Sequence, residues 1–282
     1  MVSRRRVIVC GALVAAGIAV LGGWLVATGD SGSAHAAHPE TVPSTTAKPP
    51  TTASRAAAPK QSSAANPAFA SGSQGASEQG AVGTETLVAT IPSAGAPGSE
   101  SPGGPPTLRI PGSWLGAATI LPVISGRPGW YDVRLAQRPN ESTAWVPASD
   151  VTVATDAYYI VIDLSTMRLH LFDHGRAIDD FPAGIGVASA PTPTGHFFVA
   201  LFAESPSPGY GPFVIVTSAH SNSISDWEES GDAIAAIHGP LGADAAIGAT
   251  GARVSHGCVR LHDADLVQLR DVPAGTPIDI AG

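Results

Sequence analysis

The pattern of apolar and polar positions divides the chain into four stretches. Near the start, Val7–Thr28 is a run of 22 residues without a charge. As a helix at about 1.5 Å per residue it reaches ~33 Å, enough to cross a bilayer. Residues 1–30 are therefore predicted to be a cytoplasmic stub and a transmembrane or signal-anchor helix. From Ser31 to Gly83 the chain is mostly Ser, Thr, Ala, Pro and Gly, with Phe69 its one aromatic residue. Such a segment buries too little apolar surface to offset its ordering entropy, so 31–83 is predicted to be a disordered linker. From Thr84 to Thr155, short alternating runs are separated by Gly and Pro: Thr119-Ile120-Leu121, Trp130–Leu135 and Ala144–Pro147. Period-two alternation over four to six residues signals strands, and a series this short signals a small β-barrel-like module over 84–155.

Residues 156–282 also read mainly as strands. Ile160–Leu164 and Arg168–Phe172 alternate, and the four residues Ser165 to Arg168 can make the turn of a hairpin. Further strands are expected at Phe181, His196–Phe202, Phe213–Thr217, Ala233–His238 and Ile278–Ile280. One helix is expected over Asp263–Arg270, with Asp263 as N-cap, Leu266 and Leu269 on one face and Pro273 as its stop. The fold class is thus mainly β.

Composition changes this picture in two places. Charged residues are only 13% of the chain, while Gly and Pro number 32 and 25, which fits a folded part joined to a long unfolded one. The net charge is −8; Arg4, Arg5 and Arg6 against Asp30 give the first thirty residues +2, so the remainder carries −10. The basic cluster keeps the N-terminus in the cytoplasm and puts the rest outside. If signal peptidase cuts near Ala36, where Ala34-His35-Ala36 offers small residues, the product is secreted. The acidic body argues against nucleic acid as a partner.

There are two cysteines, Cys10 in the apolar run and Cys258. Outside the membrane a single thiol is exposed to oxidation, and catalysis is the commonest reason to keep one. The alternative is a buried structural cysteine acting as a small hydrophobe. The neighbours favour chemistry. A thiol attacks as thiolate and needs a base or a positive partner. His256 lies two residues before Cys258, and His238 ends an apolar strand next to Gly239-Pro240. A zinc site from His238, His256, Cys258 and His262 is a workable donor set. Its spacings are not those of zinc knuckles, so neither a metal nor a cofactor is expected.

His238, a gap of 16 residues, then Ser255-His256-Gly257-Cys258 with Arg260 beyond, resembles the signature of the L,D-transpeptidases, the YkuD-like domain. Pro191-Thr192-Pro193-Thr194-Gly195-His196-Phe197 resembles that family's Pro-Thr-Pro-x-Gly-x-Phe segment, and Ile160–Phe172 its opening hairpin. Arg260 stands where many members carry Asn. More weakly, Gly129–Arg134 with Ala144–Val146 and Asp150-Val151 resembles bacterial SH3-like modules.

The family resemblance implies a β-sandwich-like catalytic domain over 156–282 that acts on peptidoglycan stem peptides. Cys258 is the implied nucleophile and His238 the implied base. The Gly239 carbonyl orients the imidazole, amides near Gly257 and Cys258 hold the oxyanion, Ser255 and His256 support the site, and Arg260 pairs with a substrate carboxylate. The implied reaction forms 3→3 cross-links with release of D-Ala, and carbapenem-type β-lactams are implied covalent inhibitors. An L,D-carboxypeptidase would use the same residues with water as acceptor. A wall-binding protein without turnover is the remaining alternative.

Overall fold

The computed structural model describes residues 84–282 except 228, 250 and 251. The expected membrane helix and linker lie outside the described residues. Among those described, no helix is long and apolar enough to cross a membrane.

Residues 86–156 form nine strands: β1 (Thr86–Thr90), β2 (Ala96–Ser99), β3 (Pro106–Ile110), β4 (Ser113–Trp114), β5 (Ala117–Ala118), β6 (Ile120–Arg127), β7 (Trp130–Arg134), β8 (Thr143–Pro147) and β9 (Thr152–Asp156). Seven of them make one sheet in the order β3-β2-β8-β7-β6-β1-β9, and β4–β5 is a separate hairpin. The alternation in the sequence is the alternation in burial. In β7, Tyr131 and Val133 are buried between half-buried Trp130, Asp132 and Arg134. In β8, Ala144 and Val146 do the same. A pleated strand sends successive side chains to opposite faces, so one face is core and the other meets solvent.

The second sheet is mixed and larger. It is built from β10 (Tyr158–Asp163), β11 (Arg168–Asp173), β12 (Arg176–Pro182), β13 (Ile185–Gly186), β14 (Gly195–Glu204), β15 (Phe213–His220), β16 (Ile234–His238), β17 (Arg253–Ser255), β18 (Val259–Arg260) and β19 (Pro277–Ala281). Its order is β12-β11-β10-β19-β14-β15-β16-β18, with β13 and β17 pairing separately. The expected hairpin is β10–β11, in register from Tyr158↔Asp173 to Asp163↔Arg168. Its turn is closed by Asp163, whose Oδ1 accepts the Ser165 and Thr166 amides at 2.8 and 3.1 Å. The Ser165 and Thr166 hydroxyls, and after them these two amides, hold the Asp163 carboxyl down at about 2.

β14, β15 and β16 are almost wholly apolar because both faces of this part of the sheet are covered. On one face Phe197, Val199, Ile215, Ala235 and Ile237 join the main core with Leu266 and Leu269. On the other, Phe198 and Ala200 enter the core of the first sheet. Val214, Val216, Ile234 and Ala236 form a third cluster that includes Cys258. Burial of each large side chain contributes about 1.5–3 kcal/mol.

The helix is shorter than its sequence pattern. α1 runs Asp263–Gln268, and the N-cap position is held by His262, without a side-chain cap bond. Asp263 does not cap because its carboxylate is turned onto the Gly211 and Gly239 backbones; a Cβ on either glycine would lie 2.7 or 2.6 Å from Asp263 Oδ1. At the other end Leu269 leaves helical geometry and its amide bonds back to Leu266 and Val267. The last strand of the first sheet ends at Asp156, one residue past the boundary expected from sequence.

Candidate active site

The site is assembled by a parallel strand pair. β16 and β18 run side by side with Ile237 opposite Val259 and His238 opposite Arg260. Ile237 and Val259 both enter the main core. Period-two alternation then turns His238, Cys258 and Arg260 together to the opposite face. Sixteen residues of Gly- and Ala-rich chain separate His238 from Ser255, and the register alone brings the three together.

His238 is 1% exposed and Cys258 3%. The Nδ1–H of His238 donates to Gly239 O at 2.8 Å. A carbonyl only accepts, so the proton sits on Nδ1 and Nε2 carries the lone pair. The Tyr210 ring lies 4.7 Å from the imidazole, centroid to centroid. Burial, and next the Arg260 guanidinium, push His238 down from 6.5 to about 4; the Gly239 bond opposes them. The imidazole is therefore neutral at pH 7 and able to accept a proton.

Gly239 could hardly be another residue. A Cβ there would meet Gly211 N at 2.6 Å and Tyr210 C at 2.7 Å. Its amide donates to Tyr210 O at 2.8 Å, so the carbonyl that orients His238 is itself fixed from the neighbouring 3₁₀ turn, Pro208–Tyr210.

Ser255 closes the turn before Cys258. Its Oγ donates to Cys258 O at 2.5 Å and accepts the Gly257 amide at 3.1 Å. Gly257 has φ +122°, a conformation L side chains rarely adopt, and the space around it is otherwise open. The backbone there, rather than crowding, calls for glycine. Because the Gly257 amide is taken by Ser255, an oxyanion at this turn would have to compete with that bond. Thr192, from the Pro-Thr-Pro segment, is buried behind the same region, where its Oγ1 accepts the Gly186 amide at 2.9 Å.

Arg260 is half-buried and its Nε has no hydrogen-bond partner. Its backbone is pinned on both sides by Gly184, at 2.8 Å each. Burial lowers its pKa, against the Cys258 and Tyr210 side chains, which raise it. A buried cation with an unmet donor suits a carboxylate-bearing ligand. His256 is exposed, with its ring 5.4 Å from that of Trp227. His262 turns away to Asp244 Oδ1 at 2.7 Å, which takes it out of the four-residue zinc set. Among the described residues, no group of three or more His, Cys, Asp or Glu is placed to hold a metal ion.

Two aromatics at the site were missed from sequence: Tyr210 over His238, and Trp227 on His256. The available signal was weak. Each is a lone large aromatic in a loop rich in Gly, Ser and Pro, where an aromatic needs a surface to pack on.

A buried histidine and a buried thiol on neighbouring strand ends, with the imidazole tautomer fixed by a carbonyl, define a candidate cysteine-enzyme site on a mainly-β fold. The family model of the YkuD L,D-transpeptidase catalytic domain matches residues 157–280. The YkuD protein of Bacillus licheniformis, provisionally assigned as an L,D-transpeptidase, is 31% identical over 127 residues, covering 45% of this chain and 67% of that protein. Its Bacillus subtilis counterpart is 28% identical with the same coverage. Among solved structures, L,D-transpeptidase 3 from Mycobacterium tuberculosis, in complex with a faropenem-derived adduct, is 17% identical with a TM-score of 0.34, covering 52% of this chain and 76% of that one. The chain belongs to the YkuD family of L,D-transpeptidase catalytic domains.

Proposed function

We propose that this protein is a peptidoglycan L,D-transpeptidase that forms 3→3 cross-links through an acyl-enzyme on Cys258. The observation that carries the reading is the β16–β18 register, which sets His238, Cys258 and Arg260 on one face while Gly239 leaves His238 Nε2 as the basic nitrogen.

His238 Nε2 takes the thiol proton as Cys258 Sγ attacks the amide carbonyl after the diamino acid of a stem tetrapeptide. The C–S bond forms and the carbonyl becomes an oxyanion, stabilised by backbone amides of the turn, where it displaces Ser255 Oγ from the Gly257 amide. Collapse breaks the C–N bond, and the imidazolium returns the proton to the departing amine of D-Ala. A thioester remains. The side-chain amine of a second stem then loses a proton to Nε2 and attacks. Collapse releases the thiolate, which the imidazolium reprotonates. Although burial and the Arg260 guanidinium make His238 a weak base when alone, the growing thiolate stabilises the imidazolium beside it, and Arg260 stabilises that thiolate. Arg260 also holds a stem carboxylate, so that one peptide stays in place while the other attacks.

Transfer to an amine is favoured over transfer to water because a positioned amine at high effective concentration outcompetes water for a thioester. The proposed location supplies that concentration: an N-terminal membrane anchor and linker would keep the catalytic part outside the cytoplasm, among the stem peptides.

Tetrapeptide stems offered as both donor and acceptor, with mass analysis of products, test the reading. Dimers with a 3→3 bond are expected from the wild type and none from Cys258→Ser, since a hydroxyl is far less acidic than a thiol. Tripeptide alone, at every acceptor concentration, would mean an L,D-carboxypeptidase. Wild-type turnover without Cys258 would end the proposal.

A further inference from the structure

The first sheet reaches into the second through the turn between β7 and β8. Arg138 in that turn makes three bonds to one segment of the catalytic part: Nε to Asp232 Oδ1 at 2.8 Å, an Nη to Ser221 O at 2.8 Å and the other Nη to Ile224 O at 3.1 Å. Asn140 binds the backbone of residue 220 from both sides. Its Nδ2 donates to His220 O at 2.8 Å, and its Oδ1 accepts the His220 amide at 2.8 Å. Of these five bonds from two side chains, two hold His220 at the end of β15 and three fall on the arms Ser221–Trp227 and Glu229–Asp232, which leave β15 and return to β16.

Asp232 passes these contacts onward. Its carboxylate also meets His220 Nδ1 at 2.8 Å. Its carbonyl accepts the Trp227 amide at 2.9 Å and the Ser230 hydroxyl at 2.5 Å. Trp227 in turn lies on His256 and packs against the apolar cluster that contains Cys258. A connected path runs from Arg138 through Asp232 and Trp227 to the turn that carries the thiol. Trp114 and Ala117, from the separate β4–β5 hairpin, pack against the same cluster.

We propose that the β7–β8 turn is a positioning element of the active site, with Arg138 and Asn140 holding Trp227 on His256 and over the Cys258 turn. The first sheet then serves as part of the enzyme rather than as a spacer. Neither residue touches the thiol or the imidazole, so both act through the segment they hold. Without them, the carbonyls of His220, Ser221 and Ile224 lose their donors, and Asp232 loses its cation.

The test uses the full-length protein and three readouts. In Arg138→Ala, hydrogen exchange at the Trp227 amide should quicken about tenfold, the scale set by losing charge-assisted bonds. Alkylation of Cys258 by iodoacetamide should speed up about threefold or more as Trp227 loosens its cover. With tetrapeptide stems, kcat/KM should fall about tenfold, mostly through KM, because Trp227 beside the thiol is loosened while the thiol and imidazole are intact. Arg138→Lys, which keeps the Asp232 pair but cannot span both carbonyls, should recover part of each effect. Arg127→Ala, on the same sheet and bonded only to Gly126 O, is the control and should change none of them. If Arg138→Ala fails to fold, Asn140→Asp, which keeps the acceptor and loses the donor, carries the same readouts. Wild-type exchange and alkylation rates in a folded variant overturn the proposal, as does an activity loss that merely tracks melting temperature. The proposal of a positioning role rests on the cysteine-enzyme reading, but exchange and alkylation need no transpeptidase activity. A wild type that transfers nothing would sink the transpeptidase reading and leave those two arms to decide this one.

Discussion

His238 and Arg260 sit in register on neighbouring strands, and each changes what the other can do. The guanidinium disfavours a second positive charge, so together with burial it holds the imidazole down to about 4. The acid limb of kcat/KM should therefore fall near pH 4, not near the ordinary 6.5. Removing the cation in Arg260→Ala should move that limb to higher pH and raise KM, since a carboxylate partner is lost as well. A pH–rate profile of both proteins checks this; an unmoved limb would mean that burial alone sets the imidazole. The thiol has its own test. A carbapenem carries a strained amide that the same acylation step would open. Intact-mass analysis after exposure should show one adduct on this protein and none on Cys258→Ala. An adduct that persists in the variant would put the nucleophile elsewhere.

At the level of elements, the site depends on a short turn held by one side chain. Ser255 bonds both to the Cys258 carbonyl and to the Gly257 amide, and it is 1% exposed. Ser255→Ala leaves both groups without that hydroxyl, at a cost of about 1–3 kcal/mol. Activity should drop further than the melting temperature implies, because the displaced turn carries the thiol. A calorimetric melt beside a rate measurement separates the two, and equal losses would make Ser255 a purely structural residue. That this hydroxyl occupies the Gly257 amide is visible only in the folded turn. The family resemblance implies that amide as an oxyanion donor, and in the fold it is already bonded to Ser255 Oγ. Helix α1 teaches a similar lesson. Asp263 reads as an N-cap by type and position, yet tertiary contact with the Gly211 and Gly239 backbones draws its carboxylate away.

Across the whole molecule, the buried imidazole couples stability to pH. Unfolded, His238 titrates near 6.5; folded, near 4. Between those values the unfolded chain binds more protons, so stability is full above the upper one and declines as pH falls toward the lower. The loss is on the order of 3 kcal/mol from this group. His220, also lowered by burial, acts in the same direction. Denaturant melts of wild type and His238→Gln should show a shallower pH dependence in the variant across that window. Orientation is a separate matter. The proposed topology, with Arg4–Arg6 on the cytoplasmic side, predicts that protease added to intact spheroplasts cuts within residues 31–83 and releases the catalytic part. Protection until lysis would reverse the proposed topology.

Local pattern determined a great deal here. Alternation of apolar positions is a property of single strands, so β7, β8, β10, β11 and β19 could be read from the chain, and α1 nearly so. The chemistry of a thiol with nearby histidines is equally local in type, and Ser255–Arg260 announced it. What the sequence could not decide is which distant pieces meet. The parallel β16–β18 register, the Tyr210 and Trp227 rings on the two histidines, and the reach of Arg138 and Asn140 across from the first sheet all join residues separated by many positions. Those contacts are chosen by packing both faces of one sheet at once, a condition on the whole fold that no window of sequence contains.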